Sequence, residues 1–451
     1  MLTPVSVYLR LRDKYPNSIL LESSDYHAND NSFSYICFNP IASICVKNEE
    51  IVEQFPNGEI RHTKINSEIN VPSILDGFAA SFSSEANKYK FITNGLFGYM
   101  GYDSVRYFED VTISKDKAAL GIPDMYYAVY QNIIAINHFN NEAYIFAHCF
   151  DSENNIPKIE QMLLSDSLAT FPFKRKDNAK TNLSDADYIA LVKKCKAHCE
   201  RGDVFQIVAS KRFSQEFTGD EFNVYRALRS INPSPYLFYF DYGDFKVFGS
   251  SPEAQLVVHN DKAEIHPIAG TFKRTGNDEQ DAVLAKALSE DTKENSEHVM
   301  LVDLARNDLS RHGKEVTVEI YQEVQFFSHV IHLVSKVTAR KNKGVSTMQI
   351  VADTFPAGTL SGAPKHKAIQ LLEKYENTSR EFYGGAIGFM DFSGNFNHAI
   401  IIRSFLSKNH SLHYQAGAGI VTKSQPEKEL EEVYNKLGAL TKALELAEEI
   451  S

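Results

Sequence analysis

The hydrophobic residues of the chain fall into short runs that are separated by polar turns. Before residue 174, the runs are SILLES, FSYICFNPIASICVK, NIIAINHFN and EAYIFAHCF, all rich in β-branched and aromatic residues. After residue 184, DVFQIVAS, YLFYFDYG, FKVFGSS and AEIHPIAG have the same character. Such runs predict strands. The segment GGAIGFMDFSGNFNHAIIIRSF predicts a hairpin that turns at residues 393–395, Ser-Gly-Asn.

Other segments have the spacing of helices. Ser184 and Asp187 form a capping-box pattern at the start of one helix. DAVLAKALSEDTKENSEHVMLVDLARNDL predicts one or more long helices, and a last helix is expected from about Pro426, with Ser424 and Glu427 as its capping box. The buried stripe of that last helix is predicted to contain Leu430, Val433, Tyr434, Leu437, Leu440 and Leu444.

The order of these elements favours an α+β fold. Strands and helices are mixed without strict βαβ alternation, which favours large antiparallel sheets. The polar stretch KRKDNAKTNLSDAD, which ends near Ser184, is typical of a linker or surface crossover. We therefore expect an N-terminal region over residues 1–170 and a C-terminal region over residues 184–449.

Composition excludes several classes of protein. Hydrophobic residues make up 43% and charged residues 23%, which is ordinary for a globular protein. The net charge of −11 and the lack of a long Lys/Arg run argue against nucleic-acid binding. No stretch approaches the roughly 18 apolar residues that a membrane span needs, and the first residues lack a signal-peptide pattern. Five scattered cysteines predict no disulfide framework, so we expect a cytoplasmic protein.

Two cysteines in KKCKAHCE allow a metal-site interpretation. Cys195 and Cys199 flank His198, but a single Cys pair on one helix is a poor zinc pattern. Both cysteines share the helical spacing of the apolar residues Tyr188, Leu191 and Val192. We therefore expect core positions.

Two predicted helices each carry a pair of carboxylates three residues apart. The pairs are Glu294 with Glu297 and Glu429 with Glu432, each on one helix face. A solvated acidic face is the simpler interpretation of either pair. However, Glu297 precedes the apolar run VMLV by one residue, and the second pair follows the glycine-rich YQAGAGIV. If the two helices meet, four acids without basic partners would require a hard cation such as Mg²⁺.

Further segments could bind an anion or move a proton. PIAGT (267–271) and AGAG (416–419) could offer backbone N–H groups to a carboxylate, or be ordinary turns. Tyr383 and Arg403, near the open end of the predicted hairpin, could form a carboxylate clamp or a surface pair. His332 in SHVIHLVSKV could be a core residue or a proton carrier.

Taken together, these segments resemble the chorismate-utilising enzyme family, and within it the anthranilate synthase component I family. The matching strings run in family order from Gly202 to the C-terminus: GDVFQIVASKRF, NPSPYLFYF, FGSSPE, PIAGT, SEHVMLVDLARNDLSR, IHLVS, FPAGTLSGAPK, YGGAIGFMD, AIIIRS and AGAGIV…PEKELEEVYNK. LLESSD and GLFGYMGYDSVRYFE extend the match upstream. The resemblance implies a complex α/β sandwich with two large antiparallel sheets flanked by helices.

The resemblance also implies roles for individual residues. Glu297 and Glu432 would bind Mg²⁺ directly. Glu294 and Glu429 would act mainly through waters. The ring carboxylate of chorismate would be held by the metal and by the backbone of Gly270, Thr271 and Gly419. The enolpyruvyl carboxylate would be held by Tyr383, Arg403 and Gly417.

The implied reaction is the amination of chorismate at C2 with ammonia, followed by elimination of pyruvate to give anthranilate, the first step of tryptophan biosynthesis. Glu253 in SSPE would protonate the departing 4-hydroxyl, His332 would assist proton transfer or orient the ring, and Thr359 would line the pocket. No cysteine lies in a nucleophile-elbow context. Ammonia is therefore expected from a separate glutamine amidotransferase subunit.

Two residues separate this chain from relatives that make other products. Gln206 stands where isochorismate- and salicylate-forming relatives have a lysine that activates water. Ala269 stands where aminodeoxychorismate synthases, of the folate pathway, often have a nucleophilic lysine. Aminodeoxychorismate synthase component I remains the alternative. A catalytically dead sensor of tryptophan or chorismate is a second alternative, although all the acids and the arginine of the implied site are present.

The resemblance further implies inhibition by tryptophan, through LLES and NPSPY. The residues concerned are Glu22, Ser23, Pro235, Tyr236 and Leu237. The next family stretch, Gly-Arg-Tyr-Ser, reads Asn-Ser-Phe-Ser at residues 31–34, which changes the expected shape of this loop.

Overall fold

A computed structural model describes residues 3–23, 32–85, 88–150, 153–165, 168–327 and 330–450 of the chain. Asn31, where the chain departs from the family pattern near the expected tryptophan site, lies outside these ranges. No helix of the described ranges is long and apolar enough to cross a membrane.

Helices make up the outer layers of the fold. They are α1 (Pro4–Leu11), α2 (Val71–Ala80), α3 (Ile156–Leu163), α4 (Asp185–Glu200), α5 (Phe222–Ile231), α6 (Asp278–Glu290), α7 (Thr292–Ser310), α8 (Thr347–Thr354), α9 (Gly358–Ser361), α10 (Lys365–Tyr375) and α11 (Pro426–Ala447), with a 3-10 helix at Tyr102–Tyr107.

Strands form the centre of the molecule. They are β1 (Ile19–Glu22), β2 (Phe33–Lys47), β3 (Glu50–Gln54), β4 (Ile60–Lys64), β5 (Leu96–Met100), β6 (Met125–Asn137), β7 (Glu142–Ala147), β8 (Phe173–Arg175), β9 (Lys180–Thr181), β10 (Gln206–Gly219), β11 (Tyr236–Asp241), β12 (Phe245–Ser251), β13 (Ala254–His259), β14 (Lys262–Ile265), β15 (Ile268–Lys273), β16 (Gly313–Phe326), β17 (Val330–Lys341), β18 (Gly362–Ala363), β19 (Ala386–Met390), β20 (Phe396–Ile400), β21 (Ser404–Lys408) and β22 (Ser411–Ile420).

The strands pair antiparallel in one continuous hydrogen-bonded network, and the α+β prediction is confirmed. Strands from the two halves of the chain are direct neighbours in it. Glu22 of β1 lies opposite Leu237 of β11, and β5 pairs with β19 through Gly98 and Gly388. Residues 1–170 and 184–449 therefore share the sheet, while the boundary between them stays a prediction.

Several strands are buried on both faces, which explains their nearly continuous hydrophobic sequences. In β11, Leu237 and Tyr239 pack into a core with α4, α5 and α11. Phe238 and Phe240 point the opposite way, into a second, aromatic-rich core shared with β2, β5, β6, β12 and β19. Because side chains alternate along a strand, the run YLFYF fills one core between strands and another between strands and helices.

The helix starts test the capping predictions. The Ser184 hydroxyl accepts a hydrogen bond from the Asp187 backbone N–H, and the Asp187 carboxylate accepts one from the Ser184 N–H, so this capping box is confirmed. The predicted box at Ser424 is wrong. Residue Gln425 is the N-cap of α11, and the Ser424 hydroxyl instead accepts from the Val421 N–H (3.1 Å), within the turn between β22 and α11.

The buried stripe of α11 is confirmed at four positions, while Leu430 is only partly buried against the same core and Tyr434 lies at its edge. The side chains of Val433, Leu437, Leu440 and Leu444 are buried. Tyr434 is 42% exposed, and its hydroxyl donates to Asp185 on α4 (2.7 Å). A phenol at the edge of a helix interface can keep its polar end at the surface, which the spacing of apolar residues does not reveal.

The long helical segment around residue 290 is two helices. The break falls at Asp291, whose carboxylate accepts a hydrogen bond from the Glu294 N–H (3.0 Å). This side-chain bond satisfies an N–H group in the first turn of α7 that has no partner within the helix. Glu294 thereby comes to lie in the first turn of α7, with Glu297 one turn further along.

Candidate active site

Glu253 lies in the turn between β12 and β13, next to α9. Its backbone carbonyl accepts from the Ile400 N–H (3.0 Å), and the Thr359 hydroxyl donates to its carboxylate (3.1 Å). Leu301 and Leu304 of α7 line the cavity beside it. Burial raises the pKa of Glu253 to about 8, although the Thr359 hydrogen bond and the charge of Lys436 act in the opposite direction. At neutral pH this carboxyl is protonated and can donate a proton.

Tyr383 and Arg403 lie together at the open end of the hairpin, as predicted. The β19–β20 pairing continues beyond the strands, because Gly384 N–H donates to the Ile401 carbonyl (3.0 Å). Tyr383 is buried, and burial lowers the pKa of Arg403, with Tyr383 and Glu432 opposing that shift. The phenol of Tyr383 and the guanidinium of Arg403 lie close together. Both groups are hydrogen-bond donors of the kind that bind a carboxylate.

The glycines of β22 lie against these groups. A Cβ atom on Gly417 would come within 3.1 Å of the Tyr383 hydroxyl oxygen. A Cβ atom on Gly419 would come within 2.5 Å of Gln206 Nε2 and 3.6 Å of Glu297 Oε1. The Gln206 amide in turn donates to Glu297 (2.8 Å). Gly417 and Gly419 are two residues apart on β22, so the AGAG segment presents one face of the strand to these functional side chains.

Gly270 links the PIAGT segment to His332 and α7. It lies in a bulge of β15 with a φ of +66°, and its carbonyl accepts a hydrogen bond from His332 Nδ1 (2.7 Å). A Cβ atom there would approach Glu294 Oε2 to 3.3 Å. Burial lowers the pKa of His332, with the Gly270 bond opposing, so the ring is neutral near pH 7 with its proton on Nδ1. Thr271 follows in the same bulge.

The four paired acids lie on α7 and α11. Among the residues that the structure describes, no three His, Cys, Asp or Glu side chains are close enough together to bind a metal ion. The expectation that the acids lack a basic partner is wrong, because Lys436 Nζ lies 2.6 Å from Glu432 Oε1. The donor types still fit Mg²⁺, which prefers carboxylate oxygens and water.

Lys436 is a residue of this site that the sequence analysis missed. Besides Glu432 it contacts the Gly417 carbonyl (2.9 Å), and its charge reaches Glu253. Arg403 also donates to the Lys436 backbone carbonyl (2.6 Å). Its position four residues after Glu432 on a helix was a usable signal, since that spacing puts the two side chains on one face.

The residues expected to bind tryptophan lie together across the β1–β11 pair. Glu22 is opposite Leu237, and Pro235 and Tyr236 precede Leu237 in the chain. The Ser23 N–H donates to the Phe33 carbonyl (3.3 Å).

The carboxylate of Glu22 already has partners inside the protein. It accepts from the Tyr225 hydroxyl (2.6 Å) and from Arg229 Nε (2.9 Å). An ammonium group that binds to Glu22 must therefore share it with Arg229.

Comparison with known proteins identifies the class. The sequence pattern described as chorismate binding enzyme matches residues 17–442, and the chain belongs to this family. Anthranilate synthase component 1 of Aquifex aeolicus (strain VF5) is 35% identical, over 99% of this chain and 93% of that protein. The protein of the same name from Lactococcus lactis subsp. lactis (strain IL1403) is also 35% identical, over 98% and 97%.

Solved structures agree with this assignment. The crystal structure of anthranilate synthase component I from Streptococcus pneumoniae TIGR4 superposes with a TM-score of 0.77 at 31% identity, covering 98% of this chain and 97% of that one. The menaquinone-specific isochorismate synthase of Escherichia coli superposes with a TM-score of 0.74 at 17% identity, covering 98% and 92%. At that identity the second similarity concerns the fold alone.

Proposed function

We propose that the chain is the chorismate-converting subunit of a cytoplasmic anthranilate synthase, a lyase that releases anthranilate and pyruvate. The observation that carries the choice of product is the contact between Gln206 and Glu297. The side chain at position 206 is an amide that already donates to a proposed metal ligand, and an amide cannot deprotonate water. Ala269, buried in β15, supplies no amine for attack on the ring. Amination at C2 by ammonia is the route that these residues leave open.

The proposed reaction gives each of these groups a role. Tyr383, Arg403 and the Gly417 backbone bind the enolpyruvyl carboxylate, and the segments at Gly270 and Gly419 face the ring carboxylate. Glu253 gives its proton to the departing 4-hydroxyl, which leaves as water while ammonia adds at C2. The added nitrogen loses a proton. Loss of the C2 proton and cleavage of the enolpyruvyl C–O bond then form the aromatic ring, and protonation of the methylene carbon of the released enolpyruvate gives pyruvate. His332, whose Nδ1 is engaged by Gly270, can assist proton transfer or orient the ring.

The proposal includes Mg²⁺ bound by Glu297 and Glu432, with Glu294 and Glu429 acting through waters. When bound, the ion neutralises the ring carboxylate and favours departure of the hydroxyl. Calorimetric titration with MgCl₂ should give a heat of binding that Glu297→Gln and Glu432→Gln each reduce, and EDTA should abolish turnover. Full activity of Glu432→Gln in EDTA would refute the metal assignment.

The proposal also includes a separate glutamine amidotransferase subunit as the source of ammonia. It is supported by the name of the two relatives, anthranilate synthase component 1, which implies a second component. The purified chain should use ammonium salts but not glutamine, and addition of the partner should make glutamine a substrate. Glutamine-dependent activity of the pure chain would contradict this division of labour.

Tryptophan is the proposed inhibitor, bound at Glu22, Ser23, Pro235, Tyr236 and Leu237. This proposal is supported by the β1–β11 pairing, which brings the two segments together from distant parts of the chain.

A further inference from the structure

One buried arginine contacts several of the segments that form the candidate active site. Arg380 is 3% exposed and lies in the turn that follows α10. Its guanidinium donates to the carbonyl of Leu360 (2.5 Å) and to the carbonyl of Val208 (2.6 Å). It also lies over the ring of Tyr383, 5.7 Å from the ring centroid. These contacts connect Tyr383, which is close in sequence, with Leu360 and with Val208, which is 172 residues away.

Glu376 fixes the orientation of this guanidinium. Arg380 Nε donates to Glu376 Oε2 (2.7 Å) and a second nitrogen donates to Oε1 (2.8 Å), which is a bidentate pair. Glu376 Oε1 also accepts from the backbone N–H (2.9 Å) and the hydroxyl (2.7 Å) of Ser210. The pair is therefore bonded to β10 at two positions, Val208 and Ser210.

Those two positions on β10 are the strand partners of the two functional glycines. Val208 lies opposite Gly419, and Ser210 lies opposite Gly417. A shift of β10 at these residues moves β22 with it, because the two strands share a ladder of backbone hydrogen bonds.

The hydrogen bond from Arg380 to Leu360 connects the guanidinium to the acid Glu253. Leu360 follows Thr359, which donates to Glu253. A hydrogen bond to the Leu360 carbonyl therefore acts on the turn that carries the Thr359 hydroxyl.

We propose that Arg380, oriented by Glu376, is a positioning residue that sets the distances between the enolpyruvyl-carboxylate subsite and the acid Glu253. This inference rests on the proposed function and deepens it. The guanidinium donates hydrogen bonds to Glu376, Leu360 and Val208, so it acts on the site indirectly. The groups through which it acts are Tyr383, Gly417, Gly419 and Thr359. A displacement of about 1 Å among reacting groups can cost on the order of a hundredfold in rate, so such a residue is expected to matter for turnover.

The test uses a charge-neutral replacement, because removal of Arg380 alone would leave Glu376 buried and unpaired. The double variant Arg380→Met/Glu376→Gln keeps an acceptor for Ser210 but removes the donors to Leu360 and Val208. We expect kcat/KM for chorismate with ammonium to fall about a hundredfold. Arg380→Lys, which keeps the charge but not the planar fork, should recover part of this loss.

A matched control separates positioning from general stability. Arg12 and Asp220 form another bidentate, mostly buried pair, between the end of α1 and the start of α5. Arg12→Met/Asp220→Asn should lower the melting temperature to a comparable degree while leaving kcat and KM at their wild-type values. An equal loss of kcat/KM in this control and the Arg380 variant, or wild-type kinetics in a folded Arg380 variant, would overturn the proposal.

A crystal structure of the Arg380→Met/Glu376→Gln variant gives a readout that does not depend on activity. We expect the Tyr383 ring and residues 417–419 to be displaced relative to the wild-type protein. Unmoved positions would overturn the inference whatever the kinetics. If the wild-type protein does not turn over chorismate, the proposed function fails, while the displacement still decides whether Arg380 sets this geometry.

Discussion

At the scale of single residues, the chemistry of Glu253 comes from an environment that destabilises its charged form. Its pKa is raised from 4.5 to about 8, chiefly by burial. Between these two values the folded chain keeps a proton that the unfolded chain has lost. The stability of the fold therefore falls as pH rises from about 4.5 to about 8, and the protonated acid is available at neutral pH.

Replacement of this acid should separate activity from stability. Glu253→Gln removes the transferable proton and also the buried carboxyl, so turnover should be lost while the melting temperature at pH 8.5 rises above that of the wild-type protein. The difference in melting temperature should shrink toward pH 4.5. Thermal unfolding of both proteins across this range is the measurement. A Glu253→Gln protein that is less stable than wild type at pH 8.5 would show that burial does not raise this pKa.

At the scale of elements, β22 must pair with β10 and must also leave room for functional side chains at Gly419. Gly419→Ala should reduce activity at least about tenfold, because its Cβ would lie 2.5 Å from Gln206 Nε2 and force apart the contact with Glu297. Gly438→Ala on α11 is the matched control, since no atom lies within 4 Å of its Cβ. It should keep full activity and gain up to about 1 kcal/mol of stability. Steady-state kinetics with chemical denaturation tests both, and equal activities would contradict the assigned role of Gly419.

Local patterns predicted the elements better than the side-chain hydrogen bonds at their ends. The bounds of β2, the Ser184 capping box and the hairpin turn were predictable because each depends on residues close in sequence. The start of α11 was also predicted, at about Pro426, but its N-cap was not, because the Ser424 hydroxyl accepts from the Val421 N–H in the preceding turn. The Ser424 hydroxyl could accept from the first turn of α11 or from the turn before it. The sequence does not distinguish these two partners, because the choice depends on the conformation of the turn.

At the scale of the whole molecule, the site is built from segments that are distant in sequence. The patterns identified each segment, and the family resemblance supplied the roles, but no pattern placed Lys436 against the Gly417 carbonyl or Arg380 between Val208 and Leu360. Such contacts depend on how β10, β22 and α11 pack, which is set by long-range pairing. Arg380 has one local partner, Glu376, but the contacts that link it to the site reach up to 172 residues away.

The tryptophan site is the second feature that spans the whole molecule. If tryptophan weakens chorismate binding, chorismate must weaken tryptophan binding by the same factor. Ser23→Ala should relieve inhibition and leave turnover without tryptophan unchanged. Leu237→Ala should also relieve it, at a cost of about 2–5 kcal/mol in stability, because Leu237 is a core residue. Calorimetric titration with tryptophan is the check. The absence of both a heat of binding and inhibition at millimolar tryptophan would exclude the site.

The central claim is the amination of chorismate at C2, and the direct measurement is the identity of the product. The purified chain is incubated with chorismate, MgCl₂ and ¹⁵N-labelled ammonium, and the products are followed by NMR. We predict ¹⁵N-labelled anthranilate and pyruvate in equal amounts, and neither in EDTA. Accumulation of 4-amino-4-deoxychorismate or isochorismate, or binding of chorismate without any turnover, would contradict the account.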